Sequence, residues 1–200
     1  MPLRPRSNLV NKGRLIIIEG PDECGKSTLS MALARALGGV VLHSTASKML
    51  FPALPDYHKN IMENVERNIT ELGHIIILDR FYHSELAYGE LFRPHSEYLV
   101  DGMPYHLFDR VSQLPHLFIF CFSHGGWGRY ALGHTDPAHS LKRSEYEHVW
   151  QRYEELAGQE TNVLTYLLEK DGTDMGMVNF IQTVRAALNI NEPRIPKHTS

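Results

Sequence analysis

The sequence predicts a single α/β domain in which a parallel sheet of five strands lies between two layers of helices. Three observations predict it. Between about 14 and 190, short apolar β-branched runs alternate with amphipathic stretches of helical period, the pattern of a sheet covered on both faces. The first apolar run leads straight into a glycine-rich turn and then a helix. The chain has 200 residues, 42% hydrophobic and 22% charged, enough for one sizeable core and too few for two comfortable domains.

Leu15-Ile16-Ile17-Ile18 reads as the first strand. The helix after it carries Leu29, Leu33 and Leu37 four residues apart, and Gly38-Gly39 ends it. Val40-Val41-Leu42 makes a second strand. Asp56 stands where a helix cap belongs, and Ile61, Val65, Ile69 and Leu72 form a stripe closed by Gly73, with Glu63 and Arg67 outside. Ile75-Ile76-Ile77-Leu78 is the third strand. A less regular region, 81–114, contains the helical pattern Met103, Leu107, Val111 and Leu114, ended by Pro115. Residues 117–122 form the most apolar strand and are expected at the centre of the sheet. Residues 123–140 are rich in Gly and His with few aliphatics, which predicts a mobile loop. Ser144 and Glu147 have capping-box spacing ahead of Tyr146, Val149, Trp150, Tyr153 and Leu156. Residues 163–168 are the last strand, and Met177, Ile181, Val184 and Leu188 are the core face of the last helix. The ends, 1–12 and 191–200, are polar and Pro-containing and are expected to be poorly ordered.

Composition excludes several classes. Twenty Lys and Arg against 23 Asp and Glu give a formal charge of −3, without blocks of like charge, which argues against a generic grip on nucleic acid or an anionic membrane. Every apolar run is far below the roughly 18 residues that cross a bilayer. The N-terminal basic residues Arg4 and Arg6 lack the longer apolar segment of a secretory signal, so a cytoplasmic location is expected. Two cysteines, Cys24 and Cys121, are too few for a disulfide scaffold and are expected to be reduced.

Gly20-Pro21-Asp22-Glu23-Cys24-Gly25-Lys26-Ser27 matches G-x-x-x-x-G-K-[ST] between a predicted strand and a predicted helix. Glycines let the backbone wrap phosphates, while successive N–H groups and the helix N-terminus supply positive potential. Lys26 would bridge the outer phosphates of a nucleoside triphosphate, and Ser27 would offer a hydroxyl to Mg²⁺. Gly20, Glu23, Cys24, Gly25, Lys26, Ser27 and Thr28 are therefore the predicted ATP-binding set, on a phosphate-loop (P-loop) NTPase fold. Asp79-Arg80-Phe81-Tyr82 begins where the third strand ends, on the side where parallel α/β sheets carry their ligand crevice. Asp79 would stand beside Mg²⁺ with Ser27, and the forked guanidinium of Arg80 suits an acceptor phosphate.

Glu19-Gly20-Pro21-Asp22, Gly25-Lys26-Ser27-Thr28 and Asp79-Arg80-Phe81-Tyr82 together resemble the thymidylate kinase branch of the P-loop nucleoside monophosphate kinases. Ser84-Glu85 and Tyr88-Gly89 are similar to virus-encoded members, many from bacteriophages. The resemblance covers about 14–190 in element order, with its specific motifs confined to those segments. It implies ATP- and Mg²⁺-dependent phosphoryl transfer to a deoxynucleoside monophosphate, with dTMP favoured. It further implies that Asp22 meets the deoxyribose 3′-hydroxyl, that Asp79 serves Mg²⁺ and the reacting phosphates, and that Arg80 holds the acceptor. Family members are often dimers, although no exposed apolar stripe in the sequence demands one.

Members of that family carry an Arg in the phosphate loop or supply one from a closing lid. Glu23 stands near the loop position here, so the charge is expected from a lid at about 123–143, with Arg129, Lys142 and Arg143 as its basic residues. Arg143 is the catalytic candidate; the alternative is that Lys142 and Arg143 form a solvated helix start. The Arg-Glu-Pro-Gly-Gly segment of cellular thymidylate kinases is replaced by His43-Ser44-Thr45-Ala46-Ser47-Lys48, so the base pocket differs. Phe51, Phe81, Tyr82 and Tyr88 are candidates to line it, with Glu85 as a polar partner, against the alternative that these aromatics are core.

Cys121, His124, His134 and His139 imitate zinc-finger spacing, but Cys121 belongs to an apolar strand, and the histidines fit a lid better. Cys24 reads as a small filler, because phosphoryl transfer to a nucleotide needs no covalent enzyme intermediate. Two rivals remain. One keeps the chemistry with another acceptor: a different deoxynucleotide, a deoxynucleoside, or a 5-hydroxymethylpyrimidine in phage DNA. The other is an NTP-regulated binding module without an acceptor, which leaves Arg80 without a role.

Overall fold

The computed structural model describes residues 13–44, 54–92, 99, 102–133 and 141–190. Five strands, β1 (Arg14–Glu19), β2 (Val40–His43), β3 (Ile75–Asp79), β4 (His116–Phe122) and β5 (Val163–Leu167), form one parallel sheet in the order β2-β3-β1-β4-β5. The central strand is β1, with β4 beside it in the interior. Among the described residues, no helix is long and apolar enough to cross a membrane.

Strand side chains alternate between faces, so β1 supplies both layers of core. Leu15 and Ile17 join one apolar cluster with Val65, Phe118 and Tyr153, while Ile16 and Ile18 join the other with Leu29, Leu33 and Val184. The first face is covered by α2 (Leu54–Thr70), α4 (Met103–Ser112) and α6 (Arg143–Gln159), the second by α1 (Lys26–Leu37) and α8 (Asp174–Ala187). Between β3 and α4 lies α3, composed of Tyr82–Ser84, a π turn Glu85–Gly89, and Glu90–Phe92. Two short helices complete the described chain, α5 (Gly126–Gly133) after β4 and α7 (Leu168–Asp171) after β5. The α1 helix ends as its sequence requires: Gly38 takes φ 68 in the left-handed region and its N–H reaches the Ala34 carbonyl.

Four local expectations are corrected. Residues 126–133 of the predicted loop are helical, because Trp127 and Tyr130 pack on Tyr146 with ring centroids 5.7 and 5.1 Å away, which outweighs the poor helix propensity of three glycines. Asp56 lies inside the first turn of α2, where its charge still suits the helix N-terminus, and does not cap it. Leu72 lies beyond α2 and is exposed, so the buried stripe ends at Ile69. The α6 cap is set two residues earlier than the Ser144 spacing suggests: the Lys142 N–H donates to the Glu145 carboxylate at 2.7 Å.

Candidate active site

The carboxyl ends of β1, β2 and β3 open into a cleft of about 390 Å³ lined by Asp22, Glu23, Gly25, Lys26, Ser27, Thr28, His43, Ser44, Asp79 and Arg80. The loop joining β1 to α1 forms one wall. Its two glycines are backbone requirements: Gly20 has φ 138, and a Cβ there would fall 2.2 Å from the Cys121 carbonyl oxygen; Gly25 has φ 78 and immediately precedes α1. Glu23 is also left-handed, at φ 61, and exposed. Lys26 is buried with its Nζ donating to the Pro21 carbonyl. Burial, followed by the charge of Arg80, pulls its ammonium below the ordinary range.

Asp79, buried at the end of β3, accepts the Ser27 hydroxyl at 2.9 Å and lies 3.0 Å from His43 Nδ1. Hard oxygens from a hydroxyl and a carboxylate, facing a phosphate-loop lysine, suit Mg²⁺, which keeps most of its shell as water and substrate phosphate oxygens. The residues present therefore fit that ion.

Arg80 follows with φ 71, and its N–H donates to the Ile18 carbonyl at 2.9 Å. Its Nη1 reaches the Gly20 carbonyl at 3.2 Å and the Ser84 and Tyr153 hydroxyls at 3.3 Å, while Nη2 pairs with the Asp22 carboxylate. The guanidinium carbon stands 5.4 Å from the Tyr88 ring centroid, in cation–π range. Burial works against the charge, but Tyr88, Tyr153, Asp22 and Glu19 outweigh it and raise the Arg80 pKa further. The cradle and the guanidinium thus line the same cleft.

The loop is braced from two helices. Tyr88, in the π turn, accepts the Asp22 N–H at 3.2 Å, and Tyr146, on α6, donates to the Asp22 carbonyl at 3.1 Å. Cys24 is buried beneath the loop, and burial raises its thiol pKa and that of Cys121, so neither is a ready thiolate.

The other candidates distribute unevenly. Phe81 and Tyr82 are core: Phe81 packs 5.1 Å from the His58 ring, and the Tyr82 hydroxyl donates to Glu160 at 3.3 Å. Glu85 is buried in the π turn. Arg143 is exposed on the first turn of α6, paired with Glu147 at 2.8 Å, and does not line the cleft. Arg129, on α5, pairs with Glu169 at 2.6 Å. Phe51, with Thr45, Ser47, Lys48, His134 and His139, lies outside the described residues.

Several polar residues at the site carry no role in the sequence reading. His43 and Ser44 leave the end of β2 and line the cleft; the Ser44 N–H donates to the Asp79 carbonyl at 3.1 Å and its hydroxyl lies 3.0 Å from His58 Nε2. Glu19 and Tyr153 lie behind Arg80. Glu19 had a signal, a charge closing an apolar strand; Tyr153 had none beyond its place in a core stripe.

No protein-family model and no curated protein matches the sequence. Solved structures do match. The YorR protein of Bacillus subtilis, solved in complex with phosphorylated GDP, has a TM-score of 0.59 at 16% identity, over 86% of this chain and 96% of that one. Deoxyadenosine kinase from M. mycoides with bound dCTP has a TM-score of 0.54 at 16% identity, over 86% of this chain and 99% of that one. Thymidylate kinase from Ehrlichia chaffeensis has a TM-score of 0.47 at 16% identity, covering 87% and 98%, a likeness too weak to argue from. The chain has the α/β phosphate-loop fold, shared with a deoxynucleoside kinase.

Proposed function

We propose that this protein is a nucleotide kinase that transfers the γ-phosphoryl group of ATP, with Mg²⁺, to a deoxynucleoside monophosphate, dTMP being the favoured acceptor. The observation that carries the reading is the adjacency of Asp79 and Arg80 across one cleft. Asp79 meets the Ser27 hydroxyl at the donor end, and Arg80 crosses the loop to Gly20 and Asp22. A binding module without an acceptor leaves Arg80, a second cation beside the cradle, without a ligand.

In this reading the loop N–H groups and Lys26 hold the donor phosphates, and Arg80 fixes the acceptor phosphate in line. Magnesium, when bound through Ser27 and Asp79, supplies positive charge to the transferring group. Asp22, already joined to Arg80, faces the acceptor's sugar. Arg129, Lys142 and Arg143 are the lid cations of this reading; in this structure Arg129 pairs with Glu169 and Arg143 with Glu147.

A second reading, with a deoxynucleoside as acceptor, is favoured by the fold shared with deoxyadenosine kinase. A coupled assay with ATP and Mg²⁺ against nucleosides, monophosphates and hydroxymethylated DNA separates the readings. Stimulation by dTMP alone supports the first, stimulation by nucleosides alone the second. Stimulation only by DNA, or slow hydrolysis indifferent to every acceptor, overturns both.

A further inference from the structure

Behind Arg80 lies a buried acid that neither the phosphate loop nor the metal chemistry uses. Glu19 is 0% exposed. Its Oε1 accepts the Phe81 N–H at 2.6 Å, and its Oε2 accepts the Ser84 hydroxyl at 2.8 Å and the Tyr153 hydroxyl at 3.4 Å. Those two hydroxyls are the ones that Arg80 Nη1 reaches. A hydroxyl has one proton and two lone pairs. With the Ser84 proton directed at the carboxylate, the Tyr153 proton goes either to the carboxylate at 3.4 Å or to the Ser84 oxygen at 3.0 Å, and in both cases each hydroxyl oxygen keeps a lone pair for the guanidinium. Through Oε1 the same carboxylate fixes the peptide that follows Arg80, the residue held at φ 71.

Beside the carboxylate lies a buried imidazole that is bonded to a second acid. His83 is buried, with Nε2 2.7 Å from Glu160 and Nδ1 3.9 Å from Glu19. Burial raises the Glu19 pKa, against the opposing pull of His83, Arg80, Ser84 and Phe81. Burying a carboxylate this completely is unfavourable unless its oxygens are met by donors, and here each is.

We propose that Glu19 is the positioning residue for Arg80: it polarises the Ser84 and Tyr153 hydroxyls and pins the Phe81 peptide, so that the guanidinium faces the acceptor phosphate. The inference rests on the kinase reading above and adds to it a residue that never touches substrate. Glu19 acts on acceptor binding through Arg80 and leaves donor binding to the loop.

The test compares wild type, Glu19→Gln, Tyr153→Phe and Glu19→Gln on an Arg80→Lys background, each with Mg-ATP and the best acceptor of the panel. Glutamine leaves one acceptor oxygen and removes the charge. Glu19→Gln is expected to raise the acceptor KM about tenfold or more while the ATP KM stays within about twofold. On the Arg80→Lys background the same change is expected to move the acceptor KM by less than about threefold, because the residue it acts through is already gone. Tyr153→Phe removes one hydroxyl from a buried ring and is expected to show the same acceptor-only pattern, smaller; it carries the test if Glu19→Gln fails to fold. Equal weakening of both substrates, or a full additional loss on the Arg80→Lys background, overturns the positioning role and leaves the kinase reading standing. A wild type inactive with every acceptor overturns the kinase reading, and this inference with it.

Discussion

The Ser27 hydroxyl donates to Asp79 Oδ2 at 2.9 Å and so joins the first turn of α1 to the carboxyl end of β3. The two residues are 52 apart in sequence, and the bond places a hydroxyl and a carboxylate where one divalent cation can use both. Asp79→Asn removes the charged oxygen and keeps the shape. It is expected to lower kcat by about a hundredfold or more and to raise the Mg²⁺ concentration giving half-maximal rate, while nucleotide binding measured without Mg²⁺ changes little. A magnesium titration of initial rates checks it.

Lys26 and Arg80 are expected to fail differently. Lys26→Ala removes the cation from the donor cradle, so ATP affinity and kcat fall together. Arg80→Ala removes the acceptor's cation, so the acceptor KM rises with ATP affinity kept. Each lowers kcat/KM for transfer by about a hundredfold or more. Separate titrations of ATP and acceptor, with calorimetric ATP binding as the control, distinguish them.

His58 predicts a pH dependence of stability. It is buried, and burial lowers its pKa from 6.5 to about 4. Between those values the unfolded chain takes up a proton that the folded chain does not. The stability from neutral His58 is therefore present above 6.5 and lost as pH falls toward 4. Wild type is expected to lose about 2 kcal/mol between about pH 7.5 and about pH 5 through this group, and His58→Leu to lose that much less. Urea denaturation of both proteins at the two pH values measures the difference.

Glu169 predicts a second loss on the acid side, at lower pH. Burial raises its pKa, but the Ser123 hydroxyl and the N–H groups of Gly125, Glu169 and His124 outweigh it and bring it from 4.5 to about 2. Its contribution to holding α5 is complete above 4.5 and lost as pH falls through about 2. A carboxyl ¹³C titration is expected to place its midpoint below that of an ordinary glutamate, and Ser123→Ala to raise it. Glu169→Gln is expected to speed amide exchange in α5 at neutral pH, with the sheet unaffected.

Legibility in the sequence followed locality. The strand, loop and helix of residues 15–37 are specified by neighbours, so periodicity and glycine spacing located them, as they located Asp79 at a strand end. The brace behind Arg80 is not local: Glu19 meets Tyr153 across 134 residues, and a tyrosine in a helical stripe reads the same whether its hydroxyl faces carbon or a carboxylate. Gly126, Gly128 and Gly133 signalled a loop, and only the contact of Trp127 and Tyr130 with a helix formed later in the chain makes that segment helical. Arg143 has the right charge in the right interval, and its exposed side chain pairs with Glu147 one turn along the helix, a surface pair of the kind that is worth little.

The left-handed backbone at Arg80 has one more consequence. A side chain there costs about 1–2 kcal/mol that glycine would not. The contacts of the guanidinium with Gly20, Asp22, Ser84 and Tyr153 offset that cost. Glycine at that position would relax the turn but take away the cation that the buried Glu19 carboxylate and Asp22 share, so strain and charge at this one residue can only be exchanged together.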